Sequence, residues 1–100
     1  MTPENQVKCR KIFEHYGIGA QRRQLIEECS ELIQAICKFE RAAVDYGKAS
    51  FDEARKNLLS ELADVSIMLE QFKLCCTGIE ALDREISAKL DRQIGRIESE

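Results

Sequence analysis

The chain has 100 residues, a third of them charged and 44% hydrophobic, with one Pro, five Gly, no Trp and a formal net charge of −3. That length suits one domain with a modest core, residues 1–100, and the mild acidity excludes the basic footprint of a nucleic-acid binder or a polybasic membrane surface. The most apolar stretch, Val65 to Cys76, is broken by Glu70, Gln71 and Lys73, which excludes a membrane span.

Met1-Thr2-Pro3-Glu4-Asn5 has neither a basic nor an apolar leader character, so a cytoplasmic protein is expected. The five cysteines are odd in number and form no C-x-x-C pair. Cys29 and Cys37 fall in a helix's apolar arc, so the thiols read as reduced core or near-core groups. With His15 as the single histidine, no zinc quartet exists.

Thr2 followed by Pro3 predicts a helix start, a cap and then a first-turn proline. Cys9, Ile12, Phe13 and Tyr16 recur at i, i+3, i+4 and i+7, and Gly17 with Gly19 ends that helix. His15 sits in its last turn in a bland, exposed or dipole-pairing role. A second helix is predicted from Ala20 to Asp45. Its expected buried arc is Leu25, Ile26, Cys29, Leu32, Ile33, Ile36 and Cys37; its polar arc holds Gln24, Glu27, Glu28, Glu31, Gln34, Lys38 and Arg41.

Tyr46 to Ala49 reads as a turn, and Ser50-x-x-Glu53 as a capping box opening a third helix that runs to Cys75. That helix is apolar over most of its circumference, which places it at a bundle centre or against a partner subunit. Thr77-x-x-Glu80 is a second capping box. After it, Ile79, Leu82, Ile86, Leu90, Ile94 and Ile97 form a clean stripe, with Lys89, Arg92 and Arg96 on one neighbouring face. The basic face serves either as a phosphate clamp or as ordinary surface with Glu85 and Lys89 paired at i, i+4. No strand-like alternation, repeat or linker interrupts the pattern. The expected fold is all-α, an antiparallel up-down bundle of four helices completed by oligomerisation.

Two acidic clusters stand out, Glu27-Glu28-x-x-Glu31 and Glu61-x-x-Asp64. At about 100° per residue, Glu28 and Glu31 leave one turn about 60° apart, and Glu61 and Asp64 do the same. Antiparallel packing of the two helices brings four carboxylates into a small volume. Leu58, Val65, Met68 and Phe72 lie on the Glu61 side of the third helix, so its acids interrupt an apolar stripe. Carboxylates there cost several kcal/mol unless they are paired with Lys or Arg or bound to a hard cation.

An oxygen-only, acid-rich site favours Mg²⁺, with Mn²⁺ as a substitute, over iron or zinc. Di-iron bundles place His three residues after a ligating Glu, and here those positions are Glu31 and Asp64. Carboxylate-held Mg²⁺ commonly takes phosphate oxygens too, so phosphoanhydride hydrolysis is the natural reaction class. Lys38, on the Glu31 side two turns on, is either a phosphate contact or an exposed lysine.

The two clusters, separated by 29 residues, resemble the signature of the MazG-like all-α nucleoside triphosphate pyrophosphohydrolases. Gln24 to Lys38 is similar to that family's first motif helix, Leu59 to Gln71 to its second, and Lys89-Leu-x-Arg92 to its tail. The resemblance implies cleavage of an NTP or dNTP to the monophosphate and pyrophosphate, in house-cleaning or nucleotide-pool control. It implies Glu28, Glu31, Glu61 and Asp64 as Mg²⁺ ligands, Glu27 as an additional ligand or water-orienting base, and Lys38, Lys89 and Arg92 as phosphate contacts. It further implies a homodimer or homotetramer with sites near the interface. The competing reading is a non-catalytic bundle that binds a protein partner through its acidic groove. A phosphoribosyl-ATP pyrophosphatase would share the acids, but little else in the chain supports one.

Overall fold

The computed structural model describes residues 1–45 and 48–100, and apart from short caps these are helical throughout. The elements are α1 (Pro3–Tyr16), α2 (Ile18–Asp45), α3 (Lys48–Phe72), a π-helical segment (Lys73–Thr77) and α4 (Ile79–Glu98). The all-α expectation holds. None of these helices is long and apolar enough to cross a membrane.

Thr2 caps α1 as expected: its hydroxyl oxygen accepts from the Asn5 backbone N–H at 3.2 Å, and Pro3 follows at the first helical position. Gly17 ends the helix at φ 84°, a conformation that favours glycine. Gly19, expected to share that role, lies instead inside α2. Neither predicted capping box is used. α3 begins at Lys48, two residues before Ser50, and α4 is preceded by Gly78 at φ 77°, with no side-chain cap. The expected turn at 46–49 falls partly on residues 46 and 47, outside those described; Lys48 and Ala49 already belong to α3.

α2 and α3 pack antiparallel along their lengths, with Phe39 near the end of α2 against Phe51 near the start of α3 (ring centroids 5.0 Å). At the other end Phe13 of α1 meets Phe72 edge-on, centroids 5.7 Å apart, and fixes α1 across both helices. The apolar core is slim: Cys9, Ala35, Ala42, Val65 and Met68 are its buried members. Burial, and next the Glu70 carboxylate, push the Cys9 thiol above its ordinary range, which keeps it protonated. All five cysteines are free; Cys37 and Cys76 are exposed rather than core groups.

One expectation is corrected. α2 is rotated relative to its predicted buried arc. Its polar-side positions Gln21, Gln24, Glu28 and Glu31 and its small residues Ala35 and Ala42 face inward, while Ile26, Ile33 and Ile36 are exposed. Small and short-branched contacts allow two long helices to approach closely, and this decides which face turns in. Of the four helices, α1, α2 and α3 pack together within the chain. Among the described residues the α4 backbone runs close only to the π-helical segment, while Leu82 and Ile86 in its first turns line a cleft with Ser66 and Leu69 of α3. Gly78 alone joins the π-helical segment to α4, which projects as an arm, and the radius of gyration is 16.9 Å against about 13 Å for a compact chain of this length.

Candidate metal centre

The antiparallel register of α2 and α3 brings the two acidic motifs to the same level. One carboxylate oxygen each from Glu28, Glu31 and Glu61 lie within 4.8 Å of one another. All three residues are partly buried. Glu28 accepts a hydrogen bond from the Gln24 amide at 2.8 Å through Oε1, while its Oε2 and the Oε2 of Glu61 are sealed from solvent without a partner. Among the described residues the ion pairs are Lys8–Glu4 and Lys89–Glu85, both exposed, so no Lys or Arg neutralises the cluster.

That concentration of like charge has a predictable consequence. The Glu28 carboxylate, then burial, then Glu61 and Glu27 hold the Glu31 carboxyl above its usual range. The stored repulsion is what a cation would relieve. Octahedral Mg²⁺ with oxygens at about 2.1 Å separates its ligand atoms by about 3.0 to 4.2 Å, so oxygens within 4.8 Å of one another come to ligand spacing through side-chain movements of up to about 2 Å. The donor set, orphaned oxygens and missing counter-charge fit a hard divalent ion.

Asp64 stands one turn from Glu61 and lines, with Glu28, a cavity of about 480 Å³ formed by α1, α2 and α3. Glu27 is exposed beside the cluster. The three basic candidates lie elsewhere. Lys38 and Arg41 line a separate cleft of about 470 Å³ with Ser50 and Glu53 at the far end of the α2–α3 pair. Lys89 pairs with Glu85 at 3.6 Å on exposed α4, and Arg92 shares that helix, which does not reach the acids within its own chain. The i, i+4 surface pairing is thus what the single chain realises.

Residues that the sequence reading missed lie on the same inward face. Gln21 and Gln71 are 6% and 1% exposed and are joined by a 2.8 Å hydrogen bond from Gln21 Nε2 to Gln71 Oε1. Their signal was present as a spacing: Gln21, Gln24, Glu28 and Glu31 follow a 3-4-3 rhythm that marks one helical face. Polarity concealed it, since such a stripe usually faces water.

Comparison of the chain with protein-family models, with curated proteins and with solved structures finds no match.

Proposed function

We propose that the chain is a Mg²⁺-dependent, MazG-like nucleoside triphosphate pyrophosphohydrolase that converts an NTP or dNTP and one water to the monophosphate and pyrophosphate. The observation that carries this reading is the meeting of three carboxylate oxygens within 4.8 Å, two of the residues bearing buried unpartnered oxygens and none paired with a cation. Buried like charges without a counter-ion are costly, and a stable fold keeps them where binding uses them. Glu28, Glu31 and Glu61 would hold the ion, and Asp64, on the adjoining cavity wall, would be the fourth candidate ligand. When bound, Mg²⁺ supplies charge neutralisation at the phosphates and a more acidic water.

The chain's own residues do the rest. Glu28 is oriented by the Gln24 amide, which fixes one of its oxygens and leaves the other toward the cluster. Glu27, exposed beside the cluster, would serve as an additional ligand or as the base that orients water and takes its proton. A homo-oligomer follows from the same reading. Exposed Ile26 and Ile33 on α2, Leu59 on α3 and the stripe of α4 form apolar surfaces that one chain leaves uncovered. A second copy seated on them would exclude water and carry Lys89 and Arg92 toward its neighbour's acids.

The test is pyrophosphate release from a panel of NTPs and dNTPs with Mg²⁺, for the wild type and Glu61→Gln. Turnover that Glu61→Gln abolishes supports the enzyme; no turnover from the wild type favours the silent acidic-groove bundle.

A further inference from the structure

Glu28, Glu31 and Glu61 repel one another, and the apolar groups around them do little to hold them level. Val65 and Met68 are buried near the acids, and Phe39 meets Phe51 toward the connected end of the α2–α3 pair. At the open end Phe72 of α3 is taken by Phe13 of α1. Such contacts are non-directional and survive a small slide of one helix along the other. They keep α2 and α3 together without fixing which turn stands level with which.

One contact at the open end is directional. Gln21 Nε2 donates to Gln71 Oε1 at 2.8 Å, and the two residues are 6% and 1% exposed. A hydrogen bond tolerates only a few tenths of an ångström around its best length, and a buried amide that loses its partner is costly. Sliding either helix by one turn, about 5.4 Å, strands both amides where water does not replace the bond.

This pair stands in register with the acids. Seven residues on from Gln21 along α2 is Glu28, and seven back from Gln71 along α3 is Asp64. Three further in the same directions stand Glu31 and Glu61. Equal steps from a fixed contact stay level in an antiparallel pair, so the amides set the level of the acids about 10 and 15 Å away. Charge alone favours another register. A slide of seven residues faces Glu61 with Lys38 in place of Glu31 and relieves the repulsion. Electrostatics therefore works to separate the acids, and the amide pair opposes it.

We infer that the buried Gln21–Gln71 pair is a positioning clasp, which holds α2 and α3 level so that Glu28, Glu31 and Glu61 face one cation-binding point. The inference rests on the metal-centre reading and goes beyond it in naming what sets the geometry. It has a consequence for ion preference. Mg²⁺ demands near-ideal octahedral geometry at about 2.1 Å, whereas Ca²⁺ accepts looser arrangements at about 2.3–2.6 Å. A loosened register costs Mg²⁺ more than Ca²⁺.

The experiment measures Mg²⁺ and Ca²⁺ affinities of the full chain by calorimetry, with apo melting followed by circular dichroism. Gln71→Met leaves the Gln21 amide buried and unpaired and should lower the melting temperature by several degrees. The double variant Gln21→Met/Gln71→Met replaces both amides by apolar side chains of similar shape and should restore it. Its Mg²⁺ affinity should nevertheless stay about tenfold or more below wild type, while Ca²⁺ affinity falls about threefold or less. Wild-type Mg²⁺ affinity in the double variant, or equal losses for the two ions, overturns the inference, since the pair then only packs. If the double variant does not fold, the same two-ion comparison in Gln71→Met, below its melting temperature, decides. Nucleotide turnover with undiminished Mg²⁺ affinity in the double variant defeats the clasp and leaves the hydrolase standing. The selective Mg²⁺ loss in a protein that turns over no nucleotide supports the clasp and defeats the hydrolase. A wild type that binds neither ion overturns both.

Discussion

The α2–α3 pair and the α4 arm invert the usual relation between pattern and packing. α4 carries the cleanest amphipathic stripe of the chain, yet Ile86, Leu90, Ile94 and Ile97 are all exposed, Leu90 at 61%. α2 presents glutamines, glutamates and alanines inward, and with α3 it makes the most extensive helix–helix contact. Hydrophobic pattern thus specifies that a face is suited to burial, not that its own chain buries it. The close-packed pair buys its proximity with carboxylates that repel one another, and the site sits where that repulsion is greatest.

The largest effect expected from breaking this contrast is at the acids. Glu61→Gln should lower Mg²⁺-dependent pyrophosphate release at least about 100-fold, since loss of charge stabilisation is worth several kcal/mol. Apo melting temperature should stay the same or rise, because the substitution relieves repulsion; a marked fall would make Glu61 a structural ion-pair partner.

Next comes the arm. Leu90→Asp and Ile94→Asp should dissociate the assembly by sedimentation while α-helical circular dichroism persists, each deletion of a covered apolar side chain costing about 1.5–3 kcal/mol. An assembly that survives both places α4 outside the interface. Lys89→Ala should then weaken substrate binding more than Mg²⁺ binding, and only in the assembled protein. An equal effect in the dissociated variant would place Lys89 at its own chain's acids.

Acidity gives a subtler handle. The folded-state pKa of Glu31 is raised, so its contribution to stability is fully present below its unfolded value and is lost as pH rises through the folded one. Thermal unfolding of the apo protein should show greater stability on acidification through that window, and Glu31→Gln should remove this part of the pH dependence. Excess Mg²⁺ should reverse the trend, adding about 2.7 kcal/mol at 100 times its dissociation constant. The smallest effect is at the N-terminus: Thr2→Ala should cost about 1 kcal/mol by denaturant titration, loosening α1 without touching the α2–α3 pair.

Much of the secondary structure was legible because it is written locally. Thr2-Pro3 starts a helix and Gly17 stops it, whatever lies nearby. The capping boxes at Ser50 and Thr77 misled because a cap signal is permissive: the chain can begin its helix earlier, or enter it through a positive-φ glycine. The rotation of α2 was not legible, since Ile26 and Ile33 belong by hydropathy to the core, yet the structure buries Ala35 and Ala42 and leaves the two isoleucines exposed.

The candidate site divides along the same line. Helical period and residue type alone put Glu28 with Glu31 and Glu61 with Asp64, because carboxylates three residues apart must leave one side of a helix. Tertiary structure decided that Glu28, Glu31 and Glu61 meet, that Asp64 faces the neighbouring cavity, and that Lys89 and Arg92 are carried away on an arm. Local geometry reaches across one turn. Which turns of which helices face each other depends on the packing of surfaces distant in the chain.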